Sequence, residues 1–270
     1  MTRQRLRKTV LVVSAALLPI TLNYFSPYLM TTGAAAGVLT ASVFVWAAWS
    51  VAAVFVGRAG CGWVCPLDGV QYLCDKVERG RRLVRVPGLG YLRWVLWAAW
   101  MSAFGLLVLR SAGALHADFL YMTPHYVSVD TPPMLITLGM IVALAALPAL
   151  ALGRHAFCRY LCPFAPFNVV GWLVGRLIRA PQLHLELTGA SCSGCGACGR
   201  TCPMSLPVQQ MVADADLQRT DCIMCGSCAD GCRRGVIAYT FGRAPEGAAA
   251  VHAGALPAGS VSREGRDTPR

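Results

Sequence analysis

Forty-nine consecutive positions without a charged side chain separate Lys8 from Arg58. A helix that crosses a bilayer needs about 20 apolar residues, so this run is long enough for two spans and a short turn. The expected spans cover 9–26 and 36–56, with Pro27 and Gly33 marking the turn. A second pair follows. Residues 94–115 are uncharged except for Arg110, which lies near the outer end and can extend its guanidinium to the interface. Residues 134–152 are uncharged, open after Pro132-Pro133, and are expected to bend at Pro148. The composition agrees, with 56% hydrophobic and 14% charged residues against about 25% charged in soluble domains. A disordered chain and a disulfide-stapled secreted scaffold are excluded.

The basic residues orient the spans. Arg3, Arg5, Arg7 and Lys8 precede the first, and Arg58, Lys76, Arg79, Arg81, Arg82, Arg85 and Arg93 lie between the second and third. The other two connections carry none, apart from Arg110 at a span end. Basic loops stay in the cytoplasm, so both termini are expected inside, in a multi-pass protein of the bacterial inner membrane. This placement accounts for the net charge of +11 without nucleic acid as a partner. A cleaved signal peptide is the competing reading of the amino terminus, but the cleavage-like Ala34-Ala35-Ala36 lies beyond the apolar run.

The hydrophobic half is duplicated. Gly57-Arg58 precedes Cys61-Gly-Trp-Val-Cys65-Pro66, and Gly153-Arg154 precedes Cys158-Arg-Tyr-Leu-Cys162-Pro163. Each element is followed by a stretch expected to be an amphipathic surface helix. In the first, Val70, Leu73, Cys74 and Val77 share a face and Gly80 closes the helix; the second covers 167–177. Cys61, Cys65, Cys158 and Cys162 are a candidate redox or metal site, at the cytoplasmic ends of the second and fourth spans. Four packed thiols at helix ends are the plainer alternative, and Cys74 reads as a core residue.

A shorter repeat closes the chain. Cys192-x2-Cys195-x2-Cys198-x3-Cys202-Pro203 recurs 30 positions later as Cys222-x2-Cys225-x2-Cys228-x3-Cys232. Three cysteines at intervals of three wrap one corner of a cubane, and in two-cluster ferredoxins the last cysteine of each motif serves the other cluster. Cys192, Cys195, Cys198 and Cys232 should therefore hold one 4Fe-4S cluster, and Cys222, Cys225, Cys228 and Cys202 the other. Zinc sites use separated Cys-x2-Cys pairs instead. The fold class is thus an all-α transmembrane unit of four helices in two duplicated pairs (1–180), followed by an α+β bacterial-type two-cluster ferredoxin domain (181–241). Residues 242–270, rich in Ala, Gly, Pro and charge, read as a disordered tail.

With both motif sets in view, the chain resembles the NapH-type membrane ferredoxins, to which the MauN proteins are related. The resemblance covers roughly residues 1 to 240, and Cys61-Gly-Trp-Val-Cys65-Pro66 is its most family-like text. It implies electron transfer between the quinone pool and a partner redox protein, of iron–sulfur or cytochrome c type, without a substrate-transforming active site. One departure stands out: Cys202 precedes a proline, but Cys232 precedes Arg233 and Arg234. Cations beside a cluster favour its more negative reduced state, so Arg200, Arg233 and Arg234 should raise the potentials. A similar family of metal-reducing assembly factors, the CcoG-type copper reductases, supplies the alternative function. Its extra β domain is not expected in the short segment after Phe241. A NosR-like regulator would need an outer domain that no loop here has room for.

Weaker candidates complete the reading. His116, Asp118, Tyr121, His125 and Asp130 share the loop between the third and fourth spans, where a quinol site would need a proton acceptor. His155 stands beside the second cysteine motif. The seven tryptophans read mainly as lipid-facing or interfacial.

Overall fold

Pro19 decides how the first apolar run folds. Its ring lacks an N–H and collides with the carbonyl one turn earlier, so α1 (Arg3–Ala16) stops and a single turn, α2 (Leu18–Thr21), follows. Backbone oxygens at this break are taken up by the loop before the last long helix. Val129 N–H donates to Pro19 O at 3.1 Å, and Ser128 Oγ to Ile20 O at 2.6 Å. The buried Asn23 side chain donates to Met122 O and Thr123 Oγ1 at 2.9 and 3.0 Å. In this computed structural model, which describes residues 2–78, 81–111 and 115–243, the run 9–57 therefore gives four helices. They are α1, α2, α3 (Pro27–Ala35), where the sequence suggests a turn, and α4 (Ala41–Val56).

Among the described residues two helices are long and apolar enough to cross a membrane: α7 (Leu92–Arg110), extended by a turn from Leu89, and α8 (Pro132–Leu152). Only 6% and 11% of their apolar windows are buried inside the chain, unlike a core helix of a soluble protein, which would be covered. α4 is apolar but shorter. α8 runs unbroken through Pro148. Strand β1 (Val38–Thr40) pairs in parallel with β2 (His116–Asp118), Val38 opposite His116, and ties the two halves together.

The duplication is visible in the backbone. Gly57 and Gly153 end α4 and α8 with φ of +56° and +97°, a region that disfavours any side chain, which explains the repeated Gly-Arg. Short helices α5 (Ala59–Trp63) and α9 (Ala156–Tyr160) carry the first cysteine of each motif, and α6 (Pro66–Val77) and α10 (Ala165–Leu177) follow. The halves are interlocked: α4 packs along α10, while α8 packs against α6, which also receives α1. Where α4 meets α10, Trp46 stacks on Phe164 with ring centroids 3.8 Å apart, and Phe25, Trp49, Trp100 and Phe167 complete an aromatic cluster. Trp46 and Trp172 are buried, so for these two the interfacial reading fails; the crossing of α4 and α10 gives them partners inside the protein.

α6 is amphipathic, but its polar side faces inward. Asp68 and Gln71 are buried, whereas Leu73 is 46% and Val77 76% exposed. Cys74 shares that outer face and is partly exposed, so it is not a core residue. Gly80 lies outside the described residues, as does the tail from residue 244. The C-terminal unit pairs β3 (Gln182–Leu187) with β4 (Ile237–Gly242) antiparallel, Leu185 opposite Tyr239. Between them lie α11 (Ala197–Thr201), α12 (Val208–Ala213) and α13 (Ser227–Asp230) around buried Met204, Met211, Leu217 and Ile223.

Candidate iron–sulfur and cysteine sites

The last cysteine of each motif lies near the tripod of the other. Cys228 lies within electrostatic reach of Cys222, Cys225 and also Cys202, which comes from the other motif. Cys198 neighbours Cys192 and Cys232 in the same crosswise manner. Cys202, Cys225 and Cys228 belong to the buried core, with Cys198, Cys222 and Cys232 packed against it. Burial pushes the Cys202 thiol up to about 11, and it pushes Cys222, which also faces Cys225, up to about 12. Backbone N–H groups of Met204 and Leu206 aim at the Cys202 sulfur, and that of Met224 at the Cys222 sulfur. Thiols of both motifs gathered in one apolar core, with amide donors on the Cys202 and Cys222 sulfurs, are the donor set a 4Fe-4S cubane takes, and its iron would favour the thiolates. Cys195 is fully exposed, and hydrogen bonds from Ala197 N–H and Ser193 hold its thiol below the ordinary value.

The second tripod sits against the membrane half through a charged hub. Asp221 immediately precedes Cys222. Its Oδ1 lies 2.8 Å from Arg93 Nη1, and its Oδ2 lies 3.0 Å from Arg159 Nη1. Arg58, of the repeated Gly-Arg, donates to Thr220 O at 2.8 Å. Burial opposes ionisation of Asp221, but Arg93, Arg159 and Arg58 outweigh it and hold the carboxyl below the usual carboxylate range. Around the hub, Trp63 Nε1 donates to Met224 O at 3.1 Å, and Cys61 packs on the ferredoxin core. A Cβ at Gly62 would come within 2.5 Å of Ile223 O. Gly62→Ala is accordingly expected to pry the two units apart, seen as faster proteolysis between 181 and 191 and a lower melting temperature; an unchanged melting temperature would show that the contact is slack.

The amino-terminal helix closes the other side of this tripod. Arg3 forms a two-point pair with Asp230, at 2.6 and 3.0 Å, and lies over the Tyr239 ring. Gln4 donates to Cys225 O at 2.9 Å, and buried Arg7 donates to Gly62 O at 2.8 Å. Residues legible only as topology signals are thus also fastenings for the cysteine loop.

Cys61, Cys65, Cys158 and Cys162 come together from both repeats. Cys158 is within electrostatic reach of the other three, and Gln71 Nε2 donates to its sulfur at 2.8 Å while Gln71 Oε1 accepts from Phe157 N–H. Burial pushes Cys61 up to about 11 against the pull of Arg58, and raises Cys65 and Cys158 further. Among the described residues no three His, Cys, Asp or Glu side chains converge closely enough for a single metal ion. His155, buried in a left-handed conformation, places Nε2 3.0 Å from Asp68 Oδ1 and Nδ1 4.0 Å from Asp75 Oδ2. Both side chains of the His155–Asp68 contact are enclosed, so Asp68→Asn is expected to cost about 2–4 kcal/mol, measurable as a shift of the denaturation midpoint. His116, Asp118, His125 and Asp130 are exposed and Tyr121 is half-buried, and they form no metal-holding group among the described residues.

The hub was not legible beforehand, although a signal existed. Asp221 occupies the position that Ser191 holds in the first motif, and it is the one carboxylate adjoining a tripod on its amino-terminal side.

Comparison with known proteins agrees with this geometry. Residues 191–237 match the model of a 4Fe-4S dicluster domain, and residues 38–86 and 132–181 each match a 4Fe-4S binding domain. The chain is similar to the putative electron transport protein YccM of Escherichia coli K12, 26% identical over 214 residues that cover 76% of the chain and 57% of YccM. It is also similar to the ferredoxin-type protein NapH of E. coli K12, at 25% identity over 84% of the chain and 78% of NapH. The methylamine utilization ferredoxin-type protein MauN of Methylorubrum extorquens is 31% identical over 54% of the chain and 47% of MauN. The matched region thus spans little more than half of YccM and under half of MauN. No solved structure matches. These findings define a ferredoxin-type electron-transfer protein with 4Fe-4S binding domains and membrane-type helices. Within that class the chain is similar to the NapH- and MauN-type ferredoxins.

Proposed function

We propose that the chain is a membrane-bound relay that passes electrons between the quinone pool and a partner redox protein of iron–sulfur or cytochrome c type. Cys192, Cys195, Cys198 and Cys232 hold one 4Fe-4S cluster, and Cys222, Cys225, Cys228 and Cys202 hold the other. When bound, such clusters supply one-electron carriers. The chain's own residues bind them crosswise, exclude water from the second, and fix it against the membrane half through Asp221. The observation that carries this reading is the presence of Cys202 among Cys222, Cys225 and Cys228. Four spans with both termini in the cytoplasm are favoured by the contact of Arg3, Gln4 and Arg7 with the ferredoxin unit and its neighbours, which sets the basic amino terminus and the clusters on one side. Cys61, Cys65, Cys158 and Cys162 lie between the spans and the second tripod, and a further centre there is the remaining part of the proposal. The test is EPR of anaerobically purified protein in nanodiscs after quinol addition. Signals that grow on addition support the relay; oxidised clusters that quinol leaves untouched contradict it and favour the metal-reducing alternative. Iron lost on replacing Cys61 and Cys158 by serine, with both ferredoxin signals intact, would establish the further centre.

A further inference from the structure

The two tripods have different surroundings. Cys225 and Cys228 are buried and Cys222 is partly buried, whereas Cys192 and Cys195 are exposed. Beside that exposed loop opens a groove of about 620 Å³, lined by Arg82, Arg200, Cys195, Gln209 and the bare backbones of Gly194 and Gly199. Arg82 and Arg200 are its only charged side chains among the described residues. Arg200 Nη1 donates to Cys195 O at 2.8 Å, so its guanidinium is anchored at the rim of the thiol loop. Arg154 braces the two walls, its Nη1 on Arg200 O at 3.0 Å and its N–H on Arg81 O at 3.2 Å.

Charge around the groove is unbalanced. Asp216, Asp221 and Asp230 of the ferredoxin unit are each paired with arginine. Arg82, Arg200, Arg233 and Arg234 have no carboxylate within ion-pair distance among the described residues. Unpaired arginines flank the exposed thiols; three of the unit's five carboxylates are taken up by arginines, and Asp214, next to the lining residue Ala213, is outnumbered at the groove by Arg82 and Arg200.

We propose that this groove is the docking surface for an acidic, one-electron-carrying protein, whose carboxylates pair with Arg82 and Arg200 over the Cys192–Cys195 loop. The inference rests on the function proposed above. Complementary charge steers encounter and fixes register, and a glycine floor lets a partner's backbone approach closely.

The test uses the reduced holoprotein in nanodiscs and reads microwave power saturation of the cluster EPR signals, not turnover. The probes are a dianionic dysprosium–DTPA chelate and the neutral dysprosium–HEDTA chelate. At low salt the dianion is expected to relax the more accessible signal about threefold more strongly than the neutral chelate. The bias should shrink with added salt, disappear in the doubly reversed R82E/R200E protein, and persist in R5E/K8E, which reverses two charges at exposed positions of α1. An oligoglutamate peptide should displace the dianion at concentrations where inorganic phosphate does not. No bias, or a bias untouched by R82E/R200E, would overturn the proposal; equal displacement by phosphate would assign the groove to a small anion and overturn it too. Absence of any cluster signal would instead sink the underlying relay reading.

Discussion

Asp221→Ala is expected to be among the most damaging single substitutions in the chain. It strands Arg93 and Arg159, whose side chains are 7% and 10% exposed, without a counter-ion. Removing one partner of a buried pair costs about 3–5 kcal/mol, a large part of the roughly 5–15 kcal/mol that holds a domain folded. The loss should appear as undocking of the ferredoxin unit: earlier thermal bleaching of the cluster absorbance and proteolysis near residue 181. Asp221→Asn keeps the shape but not the charge and should do nearly as badly, while Asp221→Glu should recover part of the loss. Wild-type stability in the Asn variant would show that the hub contributes nothing.

The same carboxylate sets a pH dependence. Its folded value is held below its unfolded value of about 3.9. Its contribution is therefore fully present above that value and disappears as pH falls through it towards the folded one. The stability difference between wild type and Asp221→Asn should be flat from about pH 5 to 8 and begin to shrink near pH 4. A difference that instead grew on acidification would reverse the assignment of sign.

Cys202→Ser carries the second large expectation. By motif it belongs with Cys192, Cys195 and Cys198; by position it stands among Cys222, Cys225 and Cys228. The substitution should remove the EPR signal that Cys222→Ser removes and leave the one that depends on Cys192. Because Cys202 is 8% exposed within the ferredoxin core, the variant should also unfold at lower temperature than Cys192→Ser, whose side chain is exposed. Loss of the Cys192-dependent signal would mean that each motif serves its own cluster.

Much of this architecture is written in spacing. The 30-residue offset of the cysteine motifs and the repeated Gly-Arg-to-Cys-Pro elements need only counting, and both reappear as equivalent pieces of backbone. α7 and α8 follow from uninterrupted apolar runs. The helix boundaries of the first run were less legible, because hydropathy does not register a backbone hydrogen bond: Pro19 is apolar enough to sit in a span, yet α1 ends at Ala16 and a new turn begins at Leu18. α6 misled for a related reason. Its apolar face looks like an inward face, yet Asp68 and Gln71 are the residues enclosed, since His155 and Cys158 lie on that side. Long-range ion pairs left no periodic trace at all. Arg93 and Asp221 are 128 positions apart, and only the interlocking of the two halves brings them together.

The account rests on two crosswise clusters in one chain, and counting them is the most direct check. Protein purified without oxygen should contain about eight iron and about eight acid-labile sulfide per chain, and the C202S/C222S double variant should keep about half, because both cysteines serve one cluster. A double variant that loses all its iron, or a well-folded wild-type protein that is colourless, would contradict it.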